Sequence, residues 1–132
     1  MMFIDASAIV AMLTDEQNGD HIAGRMQAAK SRLTSPIAVF EATITVARIL
    51  DLPIGDAKAS VESFIEAQGM NIVSITPKAA TLAIDAFDTY GIGRHPAALN
   101  YGDCIAYACA KAYRKPLLFA SSGFTKTDIQ PA

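Results

Sequence analysis

Short apolar runs of three or four residues alternate along this chain with longer stretches of helical periodicity, and that rhythm leaves few architectures open. Met2 to Ile4, Ile72 to Ile75 and, after Pro116, Leu117 to Phe119 read as buried strands, with Arg32 to Thr34 a weaker one. Each is followed by a helix or loop start. Strands joined through helices pair in parallel, and a parallel sheet needs both faces covered, so the pattern predicts an α/β fold. No repeat, low-complexity tract or linker divides residues 1–132, and one domain is expected.

The helical stretches carry their own punctuation. Ser35 can cap a helix with Pro36 at its first position, and Pro53 stops that helix after about Leu50. Asp56 to Gln68 places Ala57, Val61, Phe64 and Ile65 on one face and ends at Gly69. Thr76 and Pro77 open a third helix that stops at Gly91. Residues 91–100 lack periodicity and form a loop leading into a helix that begins near Asp103.

Composition limits where such a fold resides. Apolar residues make up 52% of the chain and mean hydropathy is +0.27, more than a 132-residue core can hide, so the surplus predicts a partner surface. No stretch approaches the roughly 18 uncharged apolar residues of a membrane span, and Asp5 falls inside the first apolar run, where a signal peptide tolerates no charge. A cytoplasmic location is expected. Cys104 and Cys109 stand about 140° apart around one helix, so they neither pair nor chelate together and read as buried thiols. The net charge of -2 lacks the positive excess of many nucleic-acid binders.

Three acids stand alone in apolar surroundings. Asp5 follows the first strand, where ligands gather in α/β sheets, although a helix cap would also place Asp there. Glu41 is the sole acid between Pro36 and Arg48. It lies too deep for capping, and Arg48, seven residues on, is beyond the favourable i, i+4 reach. Asp103 opens an apolar helix, a position that dipole compensation also explains. If these three converge, mutual repulsion and desolvation require a cation. Oxygen-only ligands favour Mg²⁺ or Mn²⁺, since His21 and His95 are isolated and no His/Cys cluster suits zinc. A divalent ion so held supports phosphodiester hydrolysis. Arg94, in the loop before Asp103, is the better phosphate-contact candidate, while Lys111, Arg114 and Lys115 complete a helix end. Asp85 with Asp88, and Asp15 with Glu16 and Asp20, read as solvated surface.

The ordered segments Met2-Phe3-Ile4-Asp5-Ala6-Ser7-Ala8, Ser35-Pro36-Ile37-Ala38-Val39-Phe40-Glu41 and His95 through Cys104, with Pro116-Leu117-Leu118-Phe119 and Phe124 to Ile129, resemble PIN-domain toxins of the VapC and FitB type across essentially the whole chain. The resemblance implies a five-stranded parallel sheet flanked by helices and a homodimer. It also implies metal-dependent RNA cleavage, and inhibition by an antitoxin of the VapB type. By resemblance, Asp5, Glu41 and Asp103 bind Mg²⁺ or Mn²⁺, with Ser7 a hydroxyl beside them.

One position departs from that pattern: Ser121-Ser122-Gly123-Phe124 replaces an acidic loop, with Gly123 where an Asp aligns. Ser121 or Ser122 could offer a neutral oxygen, Asp128 is a poorly placed substitute, and Gly123→Asp is expected to restore a ligand. The departure keeps open a degenerate PIN domain that binds RNA or antitoxin without cutting. A phosphotransfer enzyme with Asp5 as nucleophile ranks last, because Ser7 stands where the second acid of its Asp-x-Asp pattern would be.

Overall fold

The computed structural model describes all residues 1–132. It contains four parallel strands, β1 (Met2–Ile4), β2 (Arg32–Thr34), β3 (Met70–Ile72) and β4 (Leu117–Leu118), in the order β3-β2-β1-β4. Six α-helices are present: α1 (Ala6–Leu13), α2 (Gly19–Gln27), α3 (Pro36–Leu50), α4 (Ile54–Ala67), α5 (Pro77–Tyr90) and α6 (Tyr101–Ala112). A 3₁₀ turn, Ser122–Lys126, follows β4.

The pleat of β1 divides the core. Met2 and Ile4 pack with α1, α3 and α4 on one face, while Phe3 packs with α5, α6, Leu117 and Phe124 on the other. This is the three-layer α/β arrangement expected from the alternation, and no helix is long and apolar enough to cross a membrane.

The expected fifth strand is not formed. The chain end runs beside β4 and donates from Ala132 N to Leu117 O, but the pairing stops at an isolated bridge between Leu117 and Pro131. Pro131 has no N–H to continue a ladder. The third strand begins two residues earlier than expected, at Met70, because Gly69 turns the chain at φ 63° directly after α4. Val73 N still donates to Thr34 O, so the apolar run read as the strand lies at its exit.

Capping follows the sequence closely. Ser35 Oγ accepts from Ala38 N at 3.0 Å and Thr76 Oγ1 from Ala79 N at 3.2 Å, each with Pro at the first helical turn. These caps fix where α3 and α5 leave the sheet. The helix expected near Asp103 begins at Tyr101, capped by Asn100.

Candidate active site

Asp5 leaves the end of β1 and caps α1, its Oδ2 accepting from Ser7 N at 3.0 Å and from Ser7 Oγ at 2.5 Å. Capping and cleft-lining therefore coincide in one side chain rather than competing. Ser7 Oγ in turn accepts from Ala120 N at 3.0 Å and Ser121 N at 3.3 Å. The hydroxyl thus ties the Asp5 carboxyl to the segment leaving β4.

Asp103 occupies the third position of α6 in a reciprocal capping box: its Oδ2 accepts from Asn100 N at 3.0 Å, and Asn100 Oδ1 accepts from Asp103 N at 2.9 Å. One carboxylate oxygen is committed to the helix end. Glu41, in the second turn of α3, is half-buried and has neither hydrogen-bond nor ion-pair partner.

Together these acids line a cleft of about 390 Å³ at the carboxyl ends of β1 and β4, with Ser7, Thr45, Arg48, Asn100 and Ser121 among its walls. Burial pushes the Asp5 carboxyl up to about 6, against the hydrogen bonds from Ser7, and Asp103 raises it further. Burial, then repulsion from Asp5 and Asp103, pushes Glu41 up to about 7. Asp103 is raised by burial, with the Asn100 backbone bond opposing. The repulsion that Asp5 and Glu41 feel agrees with the three acids lining one cleft.

No cation of the protein neutralises them. The ion pairs present join Arg94 to Asp88 at 3.1 Å and Lys111 to Asp128 at 3.2 Å. Nor do any three acidic, His or Cys side chains form a ready cage for direct coordination. The donors that line the cleft are carboxylate oxygens with no His or Cys among them, a chemistry that suits a hard divalent ion, and Asp5, Glu41 and Asp103 would hold such an ion through its waters rather than in a closed cage.

Other expected residues lie elsewhere. Arg94 pairs with Asp88 and covers the Phe87 ring at 5.7 Å, outside the cleft. Arg48, considered in the sequence only as a distant partner for Glu41, is exposed and lines the cleft one α3 stretch beyond it. Glu16, read as turn surface, also lines it. Ser121 borders the cleft, whereas Ser122 opens the 3₁₀ turn and does not. Asp128 is held by Tyr107 Oη and Lys111 in a separate depression.

The expectation for Gly123 needs correction. A Cβ there would lie 2.5 Å from the carbonyl oxygen of Ala97, a backbone atom that cannot swing aside. Gly123 fills a close approach between the 3₁₀ turn and the loop before α6, and it is not among the residues that line the cleft. Gly123→Asp is now expected to destabilise the fold by roughly 1 to 3 kcal/mol without increasing cleavage, read by thermal denaturation and an RNA assay. A faster enzyme would restore the missing-ligand account.

With this geometry in view, comparison with known proteins is specific. The PIN domain family model matches residues 2–129. A VapC ribonuclease of Rhizobium meliloti is 36% identical, covering 98% of this chain and 99% of the relative. Ribonuclease VapC30 of Mycobacterium tuberculosis is also 36% identical, over 97% of this chain and 95% of its own. Among solved structures, the Mycobacterium tuberculosis sarcin-ricin loop cleaving toxin VapC20 superposes with a TM-score of 0.76 at 12% identity, covering 100% of this chain and 98% of that one. A toxin-antitoxin complex from Klebsiella pneumoniae gives 0.62 at 15% identity, over 89% and 83% of the two chains. The chain belongs to the PIN domain family, among its VapC members.

Proposed function

We propose that this chain is the ribonuclease toxin of a toxin–antitoxin pair, and that it hydrolyses RNA with Mg²⁺ or Mn²⁺ held at Asp5, Glu41 and Asp103. The observation that carries the reading is an unneutralised trio of carboxylates lining one cleft in a VapC-related fold. When bound, such an ion supplies Lewis acidity toward water and phosphate. Ser7 fixes the Asp5 carboxyl through a hydrogen bond to Oδ2, and Asn100 fixes Asp103 through the capping box. Arg48 stands seven residues along α3 from Glu41, about 10 Å along the axis, where it can meet a phosphate flanking the one cut.

The test is purified chain, free of antitoxin, incubated with total cellular RNA in Mg²⁺, in Mn²⁺ and in EDTA. Cleavage in either metal and none in EDTA is expected. RNA retention without turnover in every condition would establish the degenerate binding module instead.

The apolar surplus emerges as two surfaces. One is a groove of about 440 Å³ between α5 and α6, lined by Ile84, Phe87, Tyr101 and Ile105 with small residues. The other is the outer face of α3, where Phe40 and Ile44 flank Glu41 and are 62% and 46% exposed. The α5–α6 groove is assigned to a second copy of the chain, and the α3 face to the antitoxin, because an inhibitor bound beside Glu41 can cover the cleft. Ile84→Glu should convert a sedimenting dimer to monomer while leaving antitoxin binding intact. A wild-type monomer at micromolar concentration would remove the dimer.

A further inference from the structure

Gly102 is the second residue of α6, buried, between the exposed Tyr101 and the cleft-lining Asp103. Its backbone does not call for glycine. The glycines at positive φ are Gly69 and Gly93, and at helical φ and ψ any residue but proline is accommodated. Glycine also weakens a helix relative to alanine, by up to about 1 kcal/mol in an interior position. Helix α6 thus carries its least favourable ordinary residue where the backbone would accept a better one.

What occupies the missing side chain's place is the Glu41 carboxylate. A Cβ on Gly102 would lie less than 3.0 Å from Oε2, Cδ and Oε1 of Glu41, and these are the three nearest atoms to it. No hydrogen bond or ion pair otherwise holds that carboxylate. Its neighbours in charge, Asp5 and Asp103, repel it. The steric hollow over Gly102 is therefore the feature that lets the acid of α3 come beside the acid of α6.

We propose that Gly102 is a positioning residue, the seat of the Glu41 carboxylate in the cleft. The inference deepens the ribonuclease reading and rests on it for its consequence in catalysis, but the seat itself is a matter of position. Any side chain at residue 102 fills the volume that the carboxylate uses. The obstacle is the far end of a flexible side chain, so the fold survives by swinging Glu41 out, and the cleft loses one of its three acids.

The experiment compares wild type, Gly102→Ala, Glu41→Asp and the double variant. Gly102→Ala should melt at or slightly above the wild-type temperature, while its affinity for Mn²⁺, read by calorimetry, falls about tenfold. RNA cleavage should fall about a hundredfold, the scale of a misplacement near 1 Å. In the double variant the shorter Asp withdraws from the new methyl, so its loss of Mn²⁺ affinity should be clearly less than the sum of the single losses. A lost helix would show no such rescue. Wild-type Mn²⁺ affinity and cleavage in Gly102→Ala, or strict additivity, would overturn the proposal.

Crystal structures of wild type and Gly102→Ala separate this failure from that of the ribonuclease reading. If wild type neither binds Mn²⁺ nor cuts RNA, that reading falls, while a Glu41 carboxylate displaced in the Gly102→Ala structure still supports the seat and an undisturbed one overturns it. Should Gly102→Ala prove insoluble, Glu41→Ala in the same chain decides: recovered folding supports the clash with Glu41, and continued failure refutes it.

Discussion

Replacing Asp5 by Asn is expected to abolish RNA cleavage and, at the same time, to make the metal-free protein more stable at neutral pH. Asp5 is 4% exposed and its carboxyl is pushed up to about 6 by burial, so holding it ionised at pH 7.5 opposes folding by up to about 3 kcal/mol. Asn keeps the oxygen that accepts from Ser7 N and Ser7 Oγ and removes the charge. Its amide group would then replace a carboxylate oxygen that Asp103 repels. A rise in Tm of several degrees should accompany a loss in cleavage of about a thousandfold, some 4 kcal/mol of barrier. Calorimetry in EDTA and a cleavage assay in Mn²⁺ read the two halves separately. An Asn variant that cuts as fast as wild type would remove Asp5 from the metal site. One that melts well below wild type would show that the charge is compensated within the protein itself.

This opposition between stability and function marks what the sequence could and could not disclose. Local chemistry was legible wherever one residue type does one job. Ser35 with Pro36 and Thr76 with Pro77 announce helix starts because cap and proline act within a single turn. The three acids stood out because each is alone among apolar neighbours, and they do line a common cleft. The choice between a local role and the site, a cap at Asp5 and dipole compensation at Asp103, was a false alternative: both carboxylates do local work and still line the cleft. What the sequence hid depends on direction and on space. Arg48 could be placed relative to Glu41 along α3, but whether a side chain that far along the helix reaches the cleft depends on how α3 lies against α1 and α6.

Glycines show the same limit in sharper form. Gly123 drew notice because the resemblance led us to expect an acid there, yet it is small to admit the Ala97 carbonyl. Gly102, which passed as part of a motif, is small to admit the Glu41 carboxylate. A glycine's purpose is a volume that some distant residue fills, and neither partner is adjacent in sequence. The apolar surplus was visible as a total, whereas its separation into an α5–α6 groove and an α3 face required the fold.

The pH dependence of stability should largely flatten when metal is supplied. Asp5 and Glu41 have folded-state values of about 6 and about 7, against 3.8 and 4.5 for the free groups, and Asp103 is raised as well. Between the two sets of values the folded chain holds more protons than the unfolded one, so stability must fall as pH rises. The contribution is fully present below about pH 4, declines from there to about pH 7, and is absent above. Asp5, being buried, dominates it, since solvent screens the half-buried Glu41. In EDTA the protein should therefore melt several degrees lower at pH 8 than at pH 5. A divalent ion binds the same carboxylates in their ionised form, so its affinity rises over the same range while protons compete below it. At a Mn²⁺ concentration a hundred times the dissociation constant the gain is about 2.7 kcal/mol, enough to offset most of the loss at pH 8 and little of it at pH 5. Thermal melts across this pH range, with Mn²⁺ and with EDTA, should yield curves that diverge with rising pH. Asp5→Asn should flatten the EDTA curve and shrink the divergence. Parallel curves would mean that the ion, if it binds, does so away from these three acids.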